Sequence, residues 1–257
     1  MIVSRKWIWY RDLLWVLLRK ELVVRYKGSA LGYVWSLLNP LTQAMIFYLV
    51  FGIYMRFQVD HYLVALLAAM FPWQWFANSV NEGPHAFAAN PTLVKKVAFL
   101  RHAIPFIMVS QHMIHFCMAI PVYAAFMLAD GLVPGAVWLW GIPLMIGLTL
   151  ISAYGLCLFL GSVNLFFRDL GNLTTIITQM AFFATPIMYT LAQVPEKYHW
   201  CFKVNPVAPL FICWRSLFMD NVLNIVFLPY VVGYALLFCF LGAMVYSKLH
   251  RRFAEVM

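Results

Sequence analysis

Long runs of apolar residues, separated by short charged segments, constrain the fold of this chain more than any other feature. Apolar residues make up 64% of its 257 residues and charged residues only 11%, with a mean hydropathy of +0.82. A soluble domain has about 45–50% apolar and about 25% charged residues. A chain this apolar cannot cover its surface with polar side chains, so the sequence predicts an integral membrane protein.

Six apolar runs predict membrane-spanning helices, each of which needs about 20 residues. They cover approximately residues 36–55, 63–83, 104–129, 136–166, 172–191 and 224–247. The stretch 190–223 is too polar to span and too apolar for a free loop, so we expect two short helices that dip into the outer interface. The predicted fold class is therefore all-α: a polytopic membrane protein with six transmembrane helices and short re-entrant outer helices before the last span.

Charged residues interrupt the segment 1–33 too often for a span, although its leucines fall at helical spacing. This pattern predicts an amphipathic helix that lies in the cytoplasmic interface of the membrane. Gly28 and Gly32 are expected to end it and to turn the chain into the membrane. We thus divide the chain into the interface helix, 1–33, and one six-span transmembrane domain, 34–257.

The distribution of basic residues predicts the orientation of the spans. With both termini in the cytoplasm, the inner segments hold 14 of the 18 Lys and Arg residues. The other four are Arg56, Lys197, Lys203 and Arg215. Because Lys and Arg are enriched in cytoplasmic loops, the sequence predicts a multi-pass protein with its N- and C-termini cytoplasmic.

No enzyme signature stands out in the sequence. Gly-Lys-Ser/Thr, the end of an ATP-binding phosphate loop, occurs nowhere, so any ATP-driven work needs a separate ATPase chain. His112 and His115 lie three residues apart without a matching carboxylate or third histidine, which favours a packing or lumen-facing role over a metal site. We expect no catalytic residue, metal or cofactor in this chain, and no nucleic acid as a partner.

The inner segment Ala89–Phe106 predicts a short helix outside the membrane. Asn90 can cap it and Pro91 suits the first helical position. Apolar side chains fall on one side, with basic ones beside them: Leu93, Val94, Val97 and Leu100, and Lys95, Lys96 and Arg101. Such a helix suits a partner's groove, and a helix on the lipid surface would have the same pattern.

Three further features each leave two interpretations open. Glu82, near the inner end of the second run, is either a functional carboxylate or an interface residue paired with a lysine or arginine. Arg168 and Asp169 either close a tight inner turn as an ion pair or form a docking site for a partner. Cys201 and Cys213 share one segment outside the membrane and could form a disulfide, although spacing alone cannot fix the geometry.

Aromatic residues make up 18% of the chain. Phe47, Phe51 and Tyr54 share one helix face, and Trp73 and Trp75 lie in the next run at comparable depth. Most such rings form interface belts or pack helices. In a second interpretation, they line a path on which the sugar rings of a sliding polymer stack.

Four segments together resemble the membrane subunits of type II ABC exporters for polysaccharides, which include O-antigen, teichoic-acid and capsule permeases. The segments are RKELVVRYKGSALGYVWSLLNPL (Arg19–Leu41), ANPTLVKKVAFLRHAIPF (Ala89–Phe106), NLFFRDLGNL (Asn164–Leu173) with FFATPIMYTLAQVP (Phe182–Pro195), and VNPVAPLFICWRSLF (Val204–Phe218). Their order and spacing cover nearly the whole chain, and the O-antigen permeases have the more similar patterns.

The resemblance implies a homodimeric permease in the inner (cytoplasmic) membrane that binds two copies of a separate ATPase, which would hold ATP and Mg. A lipid-linked polysaccharide would pass between the two copies, and the segment 192–221 would gate its exit. The implied ATPase-coupling residues are Pro91, Leu93, Val94, Lys95, Lys96, Arg101, Arg168 and Asp169. The candidate polymer path comprises Phe47, Phe51, Tyr54, Trp73, Trp75 and Glu82.

Two other functions compete with polysaccharide export. One is a related type II ABC permease for a small drug or lipid, against which the aromatic richness of the chain and the lack of a large external domain count. The other is a membrane enzyme that acts on lipid-linked sugars, for which Glu82 with His85 is the candidate cluster.

Overall fold

The computed structural model describes residues 32–57, 59–95 and 100–253, together with positions 12, 15–20 and 23. In these residues the regular structure is helical throughout, which confirms the predicted all-α class. The helices are α1 (Trp35–Phe47, continued by a π-helical stretch Tyr48–Tyr54), α2 (Tyr62–Glu82), α3 (Pro91–Val94), α4 (Ala103–Ala129), α5 (Trp138–Asn164), α6 (Leu170–Ala184), α7 (His199–Val204), α8 (Ala208–Met219) and α9 (Leu228–Leu249).

In the part of the chain that the structure describes, five helices are long and apolar enough to cross a membrane. They are Leu37–Tyr54, Tyr62–His85, Ala103–Ala129, Trp138–Asn164 and Leu228–Arg252. They correspond to the first four and the last of the six apolar runs. The chain is therefore a multi-pass membrane protein, and short charged interruptions mark the ends of its long helices.

The fifth apolar run forms a shorter helix than its hydropathy indicates. Helix α6 has 15 residues, about 22 Å at 1.5 Å per residue, against a hydrocarbon core of about 30 Å. It ends at Ala184 because Thr185 precedes Pro186 and adopts an extended conformation, as residues before proline favour. The expected range 172–191 thus runs too far at its C-terminal end, whereas the two short helices expected in 190–223 are present as α7 and α8.

Helices α2 and α8 form the centre of the molecule. Most of α2 is buried, and in α8 the side chains of Phe211, Trp214 and Phe218 are at most 1% exposed. The indole nitrogen of Trp214 donates to Thr149 Oγ1 of α5 at 3.0 Å. The apolar surface of α8 is therefore covered by protein.

Helices α5 and α9 approach each other more closely than side chains permit. Gly155 of α5 faces Gly242 of α9, and a Cβ atom at either position would collide with the backbone of the other helix. Because glycine lacks that atom, the two helices pack backbone against backbone. Helices α5 and α9 therefore form one closely packed pair.

The N-terminal helix expected over 1–33 falls mostly outside the described residues. Residues 15–20 are helical, with Trp15 exposed and Leu17 partly buried. The single six-span domain over 34–257 stays a prediction.

Candidate functional site

The loop between α2 and α4, which we call the inner loop after its predicted side of the membrane, contains part of the predicted helix. Helix α3 spans only Pro91–Val94, with proline in its first turn. The Asn90 side chain does not cap it, because its amide nitrogen donates to Ala86 O at 3.1 Å. The expected cap is therefore wrong in its chemistry, although the position of the helix is right.

Two of the apolar side chains expected on one side of this loop, Leu93 and Val94, pack against the protein interior. Val94 is fully buried in a cluster at the inner end of the bundle, and Leu93 packs against that cluster. Its buried members are Ala86, Phe87, Val94, Ile104, Leu158, Leu165 and Phe253. Pro91, Lys95 and Leu100 are exposed, whereas Lys96 and Val97 lie outside the described residues. Val94 therefore holds the loop in place and is not accessible to a partner in this structure.

Arg101 also holds the inner loop. Its Nε donates to Val94 O at 2.8 Å and its Nη1 to His250 O at 2.6 Å. His250 lies directly after α9, so one guanidinium ties the loop to the end of the last span. Partial burial lowers the pKa of the neighbouring His102, which favours its neutral ring near neutral pH. Arg101 is therefore a positioning residue for the loop.

The turn between α5 and α6 exposes a second inner surface. Phe166, Phe167, Arg168 and Asp169 are all exposed there. Asp169 precedes the first residue of α6 but makes no side-chain cap. Exposure alone does not separate an internal ion pair from a docking site, so both interpretations of Arg168 and Asp169 stay predictions.

A cavity of about 280 Å³ lies beside the inner loop. Its wall includes Glu82, the last residue of α2, His85 just after that helix, Leu93 from α3, Gln111 from α4, and Leu17. Glu82 Oε2 lies 2.9 Å from Nε2 of His112 on α4. Glu82 therefore contacts a histidine of the next span, and both interpretations of its role stay predictions.

The two candidate histidines of α4 are buried in the protein. His112 is 3% and His115 8% exposed, with ring centroids 6.4 Å apart. In the part of the chain that the structure describes, no three His, Cys, Asp or Glu residues cluster as a metal site would require. Cys213 is buried and Cys201 exposed, and both are free thiols, so the disulfide left open between them does not form.

The candidate path residues divide into two groups. Tyr54 is 72% exposed, and Phe47 and Phe51 are partly buried, with Phe47 stacked on Phe182 of α6. In contrast, Trp73 and Trp75 are only 4% and 2% exposed. The indole of Trp75 stacks on Phe116 and donates to Val109 O at 3.1 Å. In this structure, both tryptophans pack the core and present no ring face to a path.

Sequence reasoning missed the role of Arg215, which it counted as an outer topology charge. Its Nε donates to Ala65 O at 3.2 Å, its Nη1 to Tyr189 O at 2.6 Å, and its Nη2 to Ile187 O at 2.5 Å. It thus joins α2 to the irregular segment that follows α6. The available signal was its position, because Arg215 is the one charge in the apolar stretch Ala208–Met219.

Comparison with known proteins covers most of the chain. The family model for ABC-2 type transporters matches residues 12–219. Two proteins of Klebsiella pneumoniae, each named O-antigen export system permease protein RfbA, are 40% and 39% identical over 96% of this chain and 95% of their own length. A Myxococcus xanthus protein of the same name is 29% identical over 82% of each chain. The family match includes the inner loop, the turn after α5, and helices α7 and α8.

Proposed function

This chain belongs to the ABC-2 type transporter family, and we propose that it is the permease subunit of an ATP-driven exporter of lipid-linked O-antigen polysaccharide. The observation that carries the proposal is the 40% identity to a named O-antigen export permease over nearly the full length of both chains. The long apolar helices supply the membrane domain that such a subunit needs.

ATP hydrolysis falls to a separate partner in this proposal. The sequence contains no Gly-Lys-Ser/Thr, so two copies of a cytoplasmic ATPase would bind ATP and Mg while this chain holds no cofactor. The contact surface comprises the exposed Pro91, Lys95, Arg168 and Asp169. Leu93, Val94 and Arg101 would act behind it, by fixing the position of the loop.

The polymer would pass between two copies of the chain. Helix α6 exposes a continuous apolar face, which suits a contact with a second copy or with lipid: Leu173, Ile176, Ile177, Met180 and Phe183. Tyr54 and Phe51 would line the path, and Trp73 and Trp75 would support it from the core. Glu82 lies beside the inner cavity, where a substrate would enter.

The orientation follows from the distribution of basic residues. We propose the cytoplasmic membrane as the location, with both termini in the cytoplasm and the turn at Asp130 outside. Cysteines placed at Asp130 and Lys197 should react with an impermeant label from outside, and those at Lys95 and Lys248 only after permeabilisation. Labelling of Lys197 from the cytoplasmic side alone would contradict this orientation.

Deletion and complementation test the function directly. A strain that lacks the chain should accumulate O-antigen on its lipid carrier inside the cell, and the wild-type gene should restore polymer on the surface. The purified chain alone should hydrolyse no ATP, whereas the complex with its ATPase should. Unchanged surface O-antigen in the deletion strain would overturn the proposal.

A further inference from the structure

A second cavity lies at the end of the bundle opposite the inner loop. It has a volume of about 430 Å³, is open on one side, and is lined by the end of the first span, the start of α2 and the end of α4. Its walls include four aromatic rings and one acid–histidine pair: Tyr48, Phe57, Tyr62, Phe126, His61 and Asp130. We propose that this cavity is a carbohydrate-binding site that holds a short stretch of a neutral polysaccharide.

The aromatic wall offers flat surfaces for sugar rings. Tyr48 and Tyr62 stack with centroids 6.4 Å apart and an interplanar angle of 22°, and Phe57 meets Tyr62 edge-on at 6.1 Å. Aromatic faces are electron-rich, so they attract the weakly positive C–H groups on the apolar face of a pyranose. Tyr48 and Phe57 remain partly exposed, which leaves ring surface open to a ligand.

The polar wall offers partners for hydroxyl groups. His61 Nδ1 lies 2.7 Å from Asp130 Oδ2, and the two side chains are 39% and 42% exposed. That contact uses one carboxylate oxygen, and a carboxylate has about four lone-pair sites. Oδ1 of Asp130 can therefore accept hydroxyl hydrogens, while His61 keeps the carboxylate in position.

The combination of rings and a carboxylate selects among ligand classes. A lipid tail would bury the His61–Asp130 pair without new hydrogen bonds, which is unfavourable. A phosphate or other anion would meet the negative charge of Asp130. A neutral sugar satisfies both walls at once, because one molecule presents C–H faces and hydroxyl edges.

The turn beside the cavity has an unusual backbone. Arg56 and His61 both adopt positive φ angles, 52° and 54°, a conformation that costs free energy for residues other than glycine. The left-handed residue His61 directly precedes α2 and is the one that contacts Asp130. The surrounding structure therefore holds the backbone of His61 in an unfavourable conformation, and this conformation places the His61 side chain beside Asp130 at the cavity.

The cavity is bonded to the segment that Arg215 holds. The hydroxyl of Tyr62 donates to Met188 O at 2.8 Å, and the carbonyls on either side, of Ile187 and Tyr189, accept from Arg215. A sugar packed on the partly exposed ring of Tyr48 would lie beside the buried Tyr62, which is itself hydrogen-bonded to the segment that leads to α7. In a polysaccharide exporter, on which this inference rests, the site would hold polymer beside that segment.

Binding to the full complex in nanodiscs tests this assignment. The probe is O-polysaccharide released by mild acid from the lipopolysaccharide of the cell that carries the chain. We expect binding to wild type, and about tenfold weaker binding to Asp130→Asn, because a charged hydrogen-bond acceptor is lost. Asp60→Asn, which removes a neighbouring exposed carboxylate outside the cavity wall, is the matched control and should bind as wild type.

A second variant separates the ring surface from the fold. Tyr48→Leu keeps an apolar side chain but removes the flat face, so we expect weaker binding with an unchanged melting temperature. No binding to wild type, or equal binding to wild type, Asp130→Asn and Tyr48→Leu, would overturn the site. Export by wild type in the complementation assay is scored separately, so that assay reveals a failure of the proposed function on its own.

Discussion

Arg215 and Arg101 do similar work at opposite ends of the molecule. Each donates through its guanidinium to main-chain carbonyls of two separate segments of the chain. Arg215 connects Ala65 in the first turn of α2 with Ile187 and Tyr189, and the adjacent α8 residue Trp214 is fully buried. Arg101 connects Val94 in the exposed inner loop with the chain directly after α9.

The difference between the two arginines lies in what they connect. Carbonyls released where helices break need donors when water is scarce, and guanidinium offers five N–H groups in a fixed fork. At the outer end, the carbonyls belong to the core and to the segment between α6 and α7. At the inner end, they belong to a surface where a partner is expected. One arginine therefore supports the fold, and the other supports the loop that we propose as the docking surface for the ATPase.

The largest expected effect is on stability at the outer end. Arg215→Ala leaves three carbonyls without their donors and should lower the free energy of unfolding by about 3–5 kcal/mol. Arg215→Lys should recover only part of this free energy of unfolding, because the ammonium group of lysine lacks the forked geometry of guanidinium. The measurement is thermal unfolding in detergent together with membrane abundance. If the Arg215→Ala protein were as stable as wild type, this arginine would have no structural role.

The inner arginine should affect stability less and partner binding more. Arg101→Ala should lower the free energy of unfolding by about 2 kcal/mol, because two hydrogen bonds donated by a partly exposed guanidinium are lost. The ATPase should co-purify in much smaller amounts, since the loop loses its attachment to the chain after α9. Lys197→Ala, an exposed basic residue predicted on the other side, is the control. Normal co-purification of the ATPase with Arg101→Ala would contradict the different roles assigned to Arg101 and Arg215.

A charge reversal on the exposed part of the loop should separate docking from folding. Lys95→Glu should change the free energy of unfolding by no more than about 1 kcal/mol, because Lys95 is exposed and the polar contacts of exposed charges contribute little. It should still weaken ATPase co-purification and lower surface O-antigen. Lys197→Glu is the matched reversal and should change neither quantity. Equal export by both variants would exclude Lys95 from the contact.

The smallest expected effect is the coupling between the two arginines. Arg215 bonds at the start of α2 and Arg101 beyond its other end, a separation of about 30 Å for a 21-residue helix. Distant sites of this kind add within about 0.5 kcal/mol. Unfolding of the double variant with both alanines measures this directly. A larger coupling would mean that the two ends share one structural transition.

The sequence predicts the helices better than it predicts which side chains face the interior. Charged interruptions at Arg56, Asp130 and Arg168 mark helix ends, because charges are unfavourable in the hydrocarbon core. Hydropathy reports only that a residue avoids water, and lipid and protein both satisfy that preference. Tyr54 and Trp75 therefore look alike in the sequence, yet one is exposed and the other lies in the core.

The inner loop shows the same distinction on a smaller scale. The sequence pattern correctly places Leu93 and Val94 on an apolar side of the loop. It does not reveal whether a partner or the same chain covers that side. Phe253, which packs with Val94, lies about 160 residues further along the chain. The roles of Arg101 and Arg215 are equally hard to foresee, because their acceptors are backbone carbonyls that every residue carries.

The contact between Gly155 and Gly242 has a mechanical consequence. Two helices that touch backbone to backbone resist sliding past each other, so we expect α5 and α9 to move as one rigid pair. Arg101 attaches the inner loop to the end of this pair. A displacement of the loop by the ATPase would therefore move both helices together. Any relative motion during transport would then occur where this pair contacts the other helices.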